Sequence, residues 1–450
     1  MFKRFSTVCL VLGSLAVAAR AEVAPPATTQ PPVGITPEFV DELMVEARSH
    51  NPAIGSAAAN ADAADAAVDA VRTWEDPMVK LGFDRFTNRG MNPAMMGDIV
   101  YGVEQKLPVF NRPQLARQVA AAEATKQKLN VDFESAKLRR NLIVTLLDLA
   151  LQDATTDLIK QDLGWLEAML STVDHRYRVG KASQVEWLKI QTEKTKTIDR
   201  LKTLKLEREH AQVEVNRLLN RDLHATWPTM ALPSLPAPLA YSDALVNAAV
   251  QAEPKLKIVR QEITQADAVS RATRQQRKPE IGVGVEGRSY SGDAGLRAGM
   301  VTVNFTLPWL NGRRYDSDFQ RDRARVRASE QDAADRVLSI RAELHHLIVE
   351  LDNSRRQALL YQNELIPLTE QTLASASTAW ANSVGLFQDV LDARRMLVEN
   401  QLTLARSLAE QAVQRAEISL LTGTTDFSAF VMPMTADEKS TAMPMPGESK

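Results

Sequence analysis

Cysteine is almost absent from this chain. Its single copy, Cys9, falls within Met1 to Ala21 (MFKRFSTVCLVLGSLAVAARA), which has a basic start at Lys3 and Arg4 and an apolar run from Val8 to Ala19. Ala19-Arg20-Ala21 supplies a small-x-small cleavage site, so residues 1–21 read as a secretory signal, too short to span a bilayer. The mature chain is then expected to hold no thiol. That excludes disulfides, thiolate metal sites and cysteine catalysis together. Cys9 precedes most of the apolar run, too early for lipoprotein acylation, and no lipid anchor is expected.

A basic excess is also missing. Losing Lys3, Arg4 and Arg20 takes the formal net charge from −2 to about −5, which invites no nucleic acid. No mature stretch approaches ~18 uninterrupted apolar residues, so a spanning helix is not expected; alternating strands of a β-barrel would pass such a scan unseen.

Catalytic constellations are lacking as well. There is no nucleophile triad, phosphate loop or H-E-x-x-H spacing, so neither an enzyme nor a cofactor is expected. GVGVEG (Gly282 to Gly287) fits G-x-G-x-x-G, but a helical segment precedes it and a loop follows, the reverse of what a dinucleotide site needs. Gly282 and Gly284 read instead as the small residues on one face of a strand. His345-His346, with Glu343 and Glu350 nearby, point about 100° apart on a helix and have no evident third ligand.

What is present is one unit written twice. Asn51-Pro52 recurs as Glu253-Pro254, Asp76-Pro77 as Lys278-Pro279, Leu107-Pro108 as Leu307-Pro308, and Val179-Gly180 as Val384-Gly385, at offsets between 200 and 205. The resulting division is a signal (1–21), a Pro-rich leader (22–37), a first repeat (38–225), a linker (226–240), a second repeat (241–423) and a Met/Pro-containing tail (424–450).

Each repeat opens with an Ala-rich, polar segment, Phe39 to Trp74 and Tyr241 to Arg277, expected to be one helix leading into a strand. Four alternating runs follow, two per repeat: around Leu81, Tyr101, Val283 and Val303. Period two means strands, each of about 9–11 residues, the length a tilted strand needs to cross a bilayer. Polar loops from Thr87 to Gly97 and Ser289 to Arg297 join each pair.

After each Leu-Pro the period changes. Ile159, Leu163, Leu166, Leu170 and Val173 step by four and three, and so do Leu344, Ile348 and Leu351. Val390, Leu397, Leu404 and Ile418 repeat by sevens, with Gln411 the polar exception. These are coiled-coil seams. A helix over 113–176 would measure roughly 95 Å, and Pro367 predicts a kink or break in its counterpart. Leu-Pro therefore marks the junction of sheet and rod, with Pro113 in the first helical turn. Four strands cannot close a barrel, which needs about eight, so several chains must contribute to one.

The signal, the duplication, the helix–strand–strand–long helix–tip–helix order, Leu-Pro at the sheet exit and VGLFQDVLDA at the second tip together resemble the TolC-type outer-membrane efflux channels. The resemblance covers the mature chain to about Gly423. It implies a mostly α fold with a small β portion: three chains build a twelve-stranded β-barrel, continued by an α-helical periplasmic tunnel. It implies a homotrimer set in outer-membrane lipid, working with a periplasmic adaptor and an inner-membrane pump of RND type. Adaptor contacts would fall on Arg178, Val179, Gly180 and Ser183 of one tip and Val384, Gly385 and Leu386 of the other, the second tip being two residues shorter. Asp389 and Asp392 match the aspartates of the family's narrow periplasmic entrance.

DPMVKLGF and MNPAMMGDIVYGVEQKLP resemble the heavy-metal (CusC/CzcC-like) branch of that family. Met432, Met434, Met443 and Met445 form two Met-Pro-Met units in the tail, and Met91, Met95 and Met96 lie in the first loop. Thioethers suit soft cations such as Cu(I). The leading expectation is thus a passive exit duct for heavy-metal cations such as copper or silver. Drug or organic-solute efflux and type I protein secretion are the alternatives. A coiled-coil surface protein is the remote one, since a fibre has no use for strand couplets.

Overall fold

The computed structural model describes residues 31–84, 98–290 and 295–424. The first half runs β1 (Val33–Gly34), α1 (Pro37–His50), α2 (Pro52–Ala70), β2 (Met78–Asp84), β3 (Asp98–Lys106), α3 (Arg112–Arg178) and α4 (Gln184–Leu219). After β4 (Met230–Ala231) the second half runs α5 (Asp243–Ala252), α6 (Pro254–Gln275), β5 (Ile281–Tyr290), β6 (Leu296–Phe305), α7 (Gly312–Leu360), α8 (Ile366–Ala381) and α9 (Phe387–Thr422).

The leading segment of each half is two helices, not the expected one. Proline has no N–H to give the ladder, and Pro52 and Pro254 each begin a new helix. Asn51 serves both neighbours: its N–H donates to the Ala47 carbonyl (2.8 Å), and its side chain accepts from the Ala53 N–H (2.8 Å). Glu253 repeats the device, donating to Ala249 (2.9 Å) and accepting from the Leu256 N–H.

The four longer strands form one antiparallel sheet in the order β2-β3-β5-β6. The two hairpins join through β3 and β5, with Asp98 opposite Tyr290 and Lys106 opposite Gly282. Strands β3, β5 and β6 have 9, 10 and 10 residues, and the described part of β2 has seven. Strand β5 reaches Tyr290 and β6 begins at Leu296, so the second loop is shorter than expected. The first loop, with Met91, Met95 and Met96, lies outside the described residues. Leu81, Val285, Val301 and Phe305 stand exposed on one face, while Lys80, Gly102, Glu104 and Glu286 share the other. An apolar face, with outer edges on β2 and β6 that carry no further strand among the described residues, suits a wall shared with further copies.

The chain leaves this sheet by two routes. Phe110 and Asn111 take positive φ (61° and 58°) before α3 starts with Pro113 in its first turn. Pro308–Asn311 instead forms a 3-10 turn before α7. Helix α3 has 67 residues, about 100 Å of rod. Its counterpart runs through α7, a π-helical turn at Tyr361–Leu365, and α8. Pro367 therefore neither breaks nor ends the rod: the wider turn before it, where the Ile366 N–H reaches the Tyr361 carbonyl, absorbs the irregularity.

Packing repeats too. Leu142, Leu146 and Leu149 sit in the core that joins α1, α3 and α4, and Leu344, Ile348 and Leu351 sit 202 residues on in the core that joins α5, α7 and α9. Gln411 is buried at its heptad position. The linker is strapped down rather than loose: β4 pairs in parallel with β1, the Met230 N–H donates to Asp153 (2.9 Å), and the Trp227 ring N–H donates to Asn216 (2.7 Å). The signal and residues 425–450 of the tail lie outside the described residues.

Candidate functional site

At the far end of the rods each connection has five residues, 179–183 after α3 and 382–386 after α8. A helix that stops leaves carbonyls without donors, and both ends solve this with the same turn. At the first, the Val179, Gly180 and Lys181 N–H groups donate to His175 (3.3 Å), Tyr177 (3.0 Å) and Arg176 (2.7 Å). At the second, Asn382, Ser383 and Val384 donate to Thr378 (3.1 Å), Trp380 (3.0 Å) and Ala379 (2.9 Å).

Every partner is displaced by 203 residues, which corrects two expectations. The second tip is not shorter, and the two Val-Gly pairs are not structural equivalents. Gly180 (φ 75°) corresponds to Ser383 (φ 62°), and Ser183 to Leu386. Gly385 has ordinary φ; it is required because a Cβ there would stand 2.8 Å from the Ala379 Cβ and 3.2 Å from the Trp380 nitrogen. Ser183 caps α4 by accepting from the Glu186 N–H (3.3 Å). Arg178 pairs with Asp174 (2.8 Å) on its own helix.

The two tips are held together by a residue that the sequence did not single out. Arg176 donates to the carbonyls of Ala381 (2.9 Å) and Trp380 (3.3 Å) and to the Ser383 hydroxyl (3.3 Å), with its guanidinium 4.4 Å from the Trp380 ring centre. A cation at a helix C-terminus satisfies both the open carbonyls and the helix dipole. Beneath it Trp380 and Phe387 lie 5.2 Å apart, in a core with Leu166, Val173, Ile190 and Val390. Around this core an apolar fringe faces outward: Val179, Val185, Leu188, Val384 and Leu386 are all exposed, Val384 at 86%. Val185 and Leu188 are visible in sequence only as breaks in the polar face of α4.

Asp389 and Asp392 both lie on the exposed side of α9, opposite buried Val390 and Leu391. They are not equivalent. Asp392 accepts from the Gln388 amide (2.9 and 3.0 Å) and pairs with Arg395 (3.1 Å). Asp389 has no ion pair among the described residues. Arg395 also reaches Glu193 on α4 (2.7 Å), and that hydrogen bond holds the guanidinium above its usual value. Burial pushes the Glu193 carboxyl up, but hydrogen bonds from Arg395 and Lys196 outweigh it and leave the group below the ordinary carboxylate range. The adjacent Arg394 pairs with Asp162 (2.8 Å) in a cleft between α3, α4 and α9.

The remaining candidates do not converge. His345 stacks edge-on against Tyr241 at 5.4 Å, while His346 faces Glu350 at 4.0 Å. Among the described residues no group of three or more His, Cys, Asp or Glu side chains could hold a metal. GVGVEG lies within β5, with Gly282 and Gly284 on one face. Met432, Met434, Met443 and Met445 lie outside the described residues. No helix among the described residues is long and apolar enough to cross a membrane.

The comparison with known proteins follows the duplication. The outer membrane efflux protein family matches residues 43–221 and again 245–424. No curated protein matches the chain. Among solved structures the outer-membrane channel OprN is similar, with a TM-score of 0.75 and 14% identity over 86% of this chain and 90% of that one. The outer membrane protein VceC of Vibrio cholerae gives 0.71 and 15% over 86% and 97%. CusC gives 0.71 and 16% over 86% and 92%. At such identities the likeness to these structures shows the fold alone. The paired family match spans most of the sequence, and the chain belongs to the outer membrane efflux protein family.

Proposed function

We propose that this chain, an outer-membrane efflux channel, is the passive exit duct of a heavy-metal efflux system and conducts cations such as copper or silver. Three copies would supply the strands that one four-stranded sheet lacks, and the rods would carry the bore across the periplasm to the tips. An adaptor would dock on the exposed fringe around Val384 and Leu386, and an RND-type pump behind it would supply the energy. The chain itself would do no chemistry.

The observation that carries the cation reading is Asp389, an exposed carboxylate beside the tip with no ion pair among the described residues. Three such groups converging at a narrow mouth would draw cations and repel anions. Asp392, already paired with Arg395, would add less. The soft-metal preference rests on the sequence: the heavy-metal-like strand neighbourhood and the thioethers of the tail.

Growth on silver and copper salts tests this in cells that depend on the chain. Val384→Asp should abolish tolerance while the trimer persists in the outer membrane, because a carboxylate in the apolar fringe opposes docking. Asp389→Asn should reduce tolerance in part. Undiminished metal tolerance in the Val384→Asp strain, with tolerance to organic compounds lost instead, would move the substrate to organic solutes.

A further inference from the structure

The lumen side of the sheet carries a charged trio that a bare duct does not require. Lys80 on β2 lies opposite Gly102 on β3, which lies opposite Glu286 on β5, and Glu104 lies opposite Gly284. The Lys80 ammonium pairs with Glu104 and reaches over Gly102 to Glu286 (3.4 Å), so that one cation ties together three adjacent strands and both hairpins.

The glycines make this possible. A Cβ at Gly102 would stand 2.6 Å from the Glu286 Cγ and 2.8 Å from the Val285 carbonyl oxygen, and one at Gly282 would stand 3.0 Å from Glu104 Oε1. Both carboxylates therefore lie flat over positions where any larger residue would lift them. Their side chains are only 13% and 19% exposed, against 39% for Lys80. Leu81, Val103 and Val285 of the same strands stand exposed on the opposite face, so the trio faces water inside the barrel.

We infer that Lys80 is a positioning residue: it pins Glu104 and Glu286 against the barrel wall and thereby sets the charge selectivity of the barrel. This rests on the reading of the chain as a trimeric duct. One ammonium stands against two carboxylates, so each chain presents one net negative charge to the lumen from this trio and a trimer presents three. Fixed charges beside a low-dielectric wall concentrate counter-ions. The barrel is then a mild cation filter, and a rod of about 100 Å separates it from Asp389 at the tips. Without Lys80, Glu286 is released while Glu104 keeps its hydrogen bond from Asn304, and the two carboxylates of each chain place six negative charges in the bore.

Planar-bilayer recording of the purified full-length trimer under a KCl gradient tests this, with reversal potential as the readout. Lys80→Met should shift the permeability ratio further toward cations, and Lys80→Arg should keep the wild-type value. Glu286→Gln, which leaves the trio neutral, should shift the ratio the other way. The same shifts should persist in an Asp389→Asn background and shrink at high salt, as screened charge requires. A Lys80→Met trimer, intact by native mass spectrometry, with the wild-type reversal potential would overturn the inference, as would equal shifts in Lys80→Met and Lys80→Arg. No conductance from the wild-type trimer would overturn the duct reading and this inference with it.

Discussion

The two helical tips make one turn from two sequences. Gly180 enters the left-handed region at little cost, having no Cβ; Ser383 does the same at the other tip with a side chain attached. The second tip offsets that cost with Arg176, which donates to the last carbonyls of α8 and to the Ser383 hydroxyl. The first tip receives no such cation from the opposite pair among the hydrogen bonds described. Hydrogen-bond register, rather than residue identity, is what the duplication has kept. That is why the Val-Gly match in the sequence falls two residues out of step with the structural match.

The lower cores differ less, and they give the largest expected effect. Leu142 and Leu344 are both fully buried, 202 residues apart, in matching cores. Leu142→Ala and Leu344→Ala should each destabilise their core by about 2–5 kcal/mol and by similar amounts. Amide hydrogen exchange in α3 and α7 measures this. A large effect in one half alone would break the equivalence of the two cores.

At the tips, Arg176→Ala should come next, at about 1.5–3 kcal/mol, because it removes charge-assisted bonds to carbonyls at a helix end. The loss should be local: exchange of the Ser383 and Val384 amides should accelerate, while that of the Gly180 and Lys181 amides stays near wild type. Uniform acceleration at both tips would mean that Arg176 supports the joint core and does not cap one helix.

The smallest effects have opposite signs. Gly180→Ala should loosen the first turn by about 1 kcal/mol, since it places a Cβ in the left-handed region. Ser383→Gly should tighten the second by less, under about 0.5 kcal/mol, because relief of the left-handed strain is set against the glycine's greater loss of freedom and the loss of the exposed hydroxyl that accepts from Arg176 at 3.3 Å. Exchange of the Lys181 and Val384 amides, which close the two turns, reads both. Changes of the same sign would show that the turns are not equivalent.

The sequence by itself determined the repeat, the alternating strands, the heptad seams and the need for more strands than one chain supplies. These follow from periodicity, which is a property of neighbours along the chain, and from the arithmetic of barrel closure. It also placed Leu-Pro where sheet becomes rod. Other features depended on contacts between distant segments, and only the tertiary structure decided them. The prolines at 52 and 254 begin new helices, whereas Pro367 is absorbed by a π-helical turn in a rod that continues; nothing local to a proline distinguishes the two outcomes. Asp389 and Asp392 look alike in DVLD, yet Arg395 and Gln388 take up only the second. Arg176 is an ordinary helical arginine until α8 ends beside it. Lys80, Glu104 and Glu286 form a trio only because β3 pairs with β5 across the repeat boundary, bringing together residues 206 positions apart.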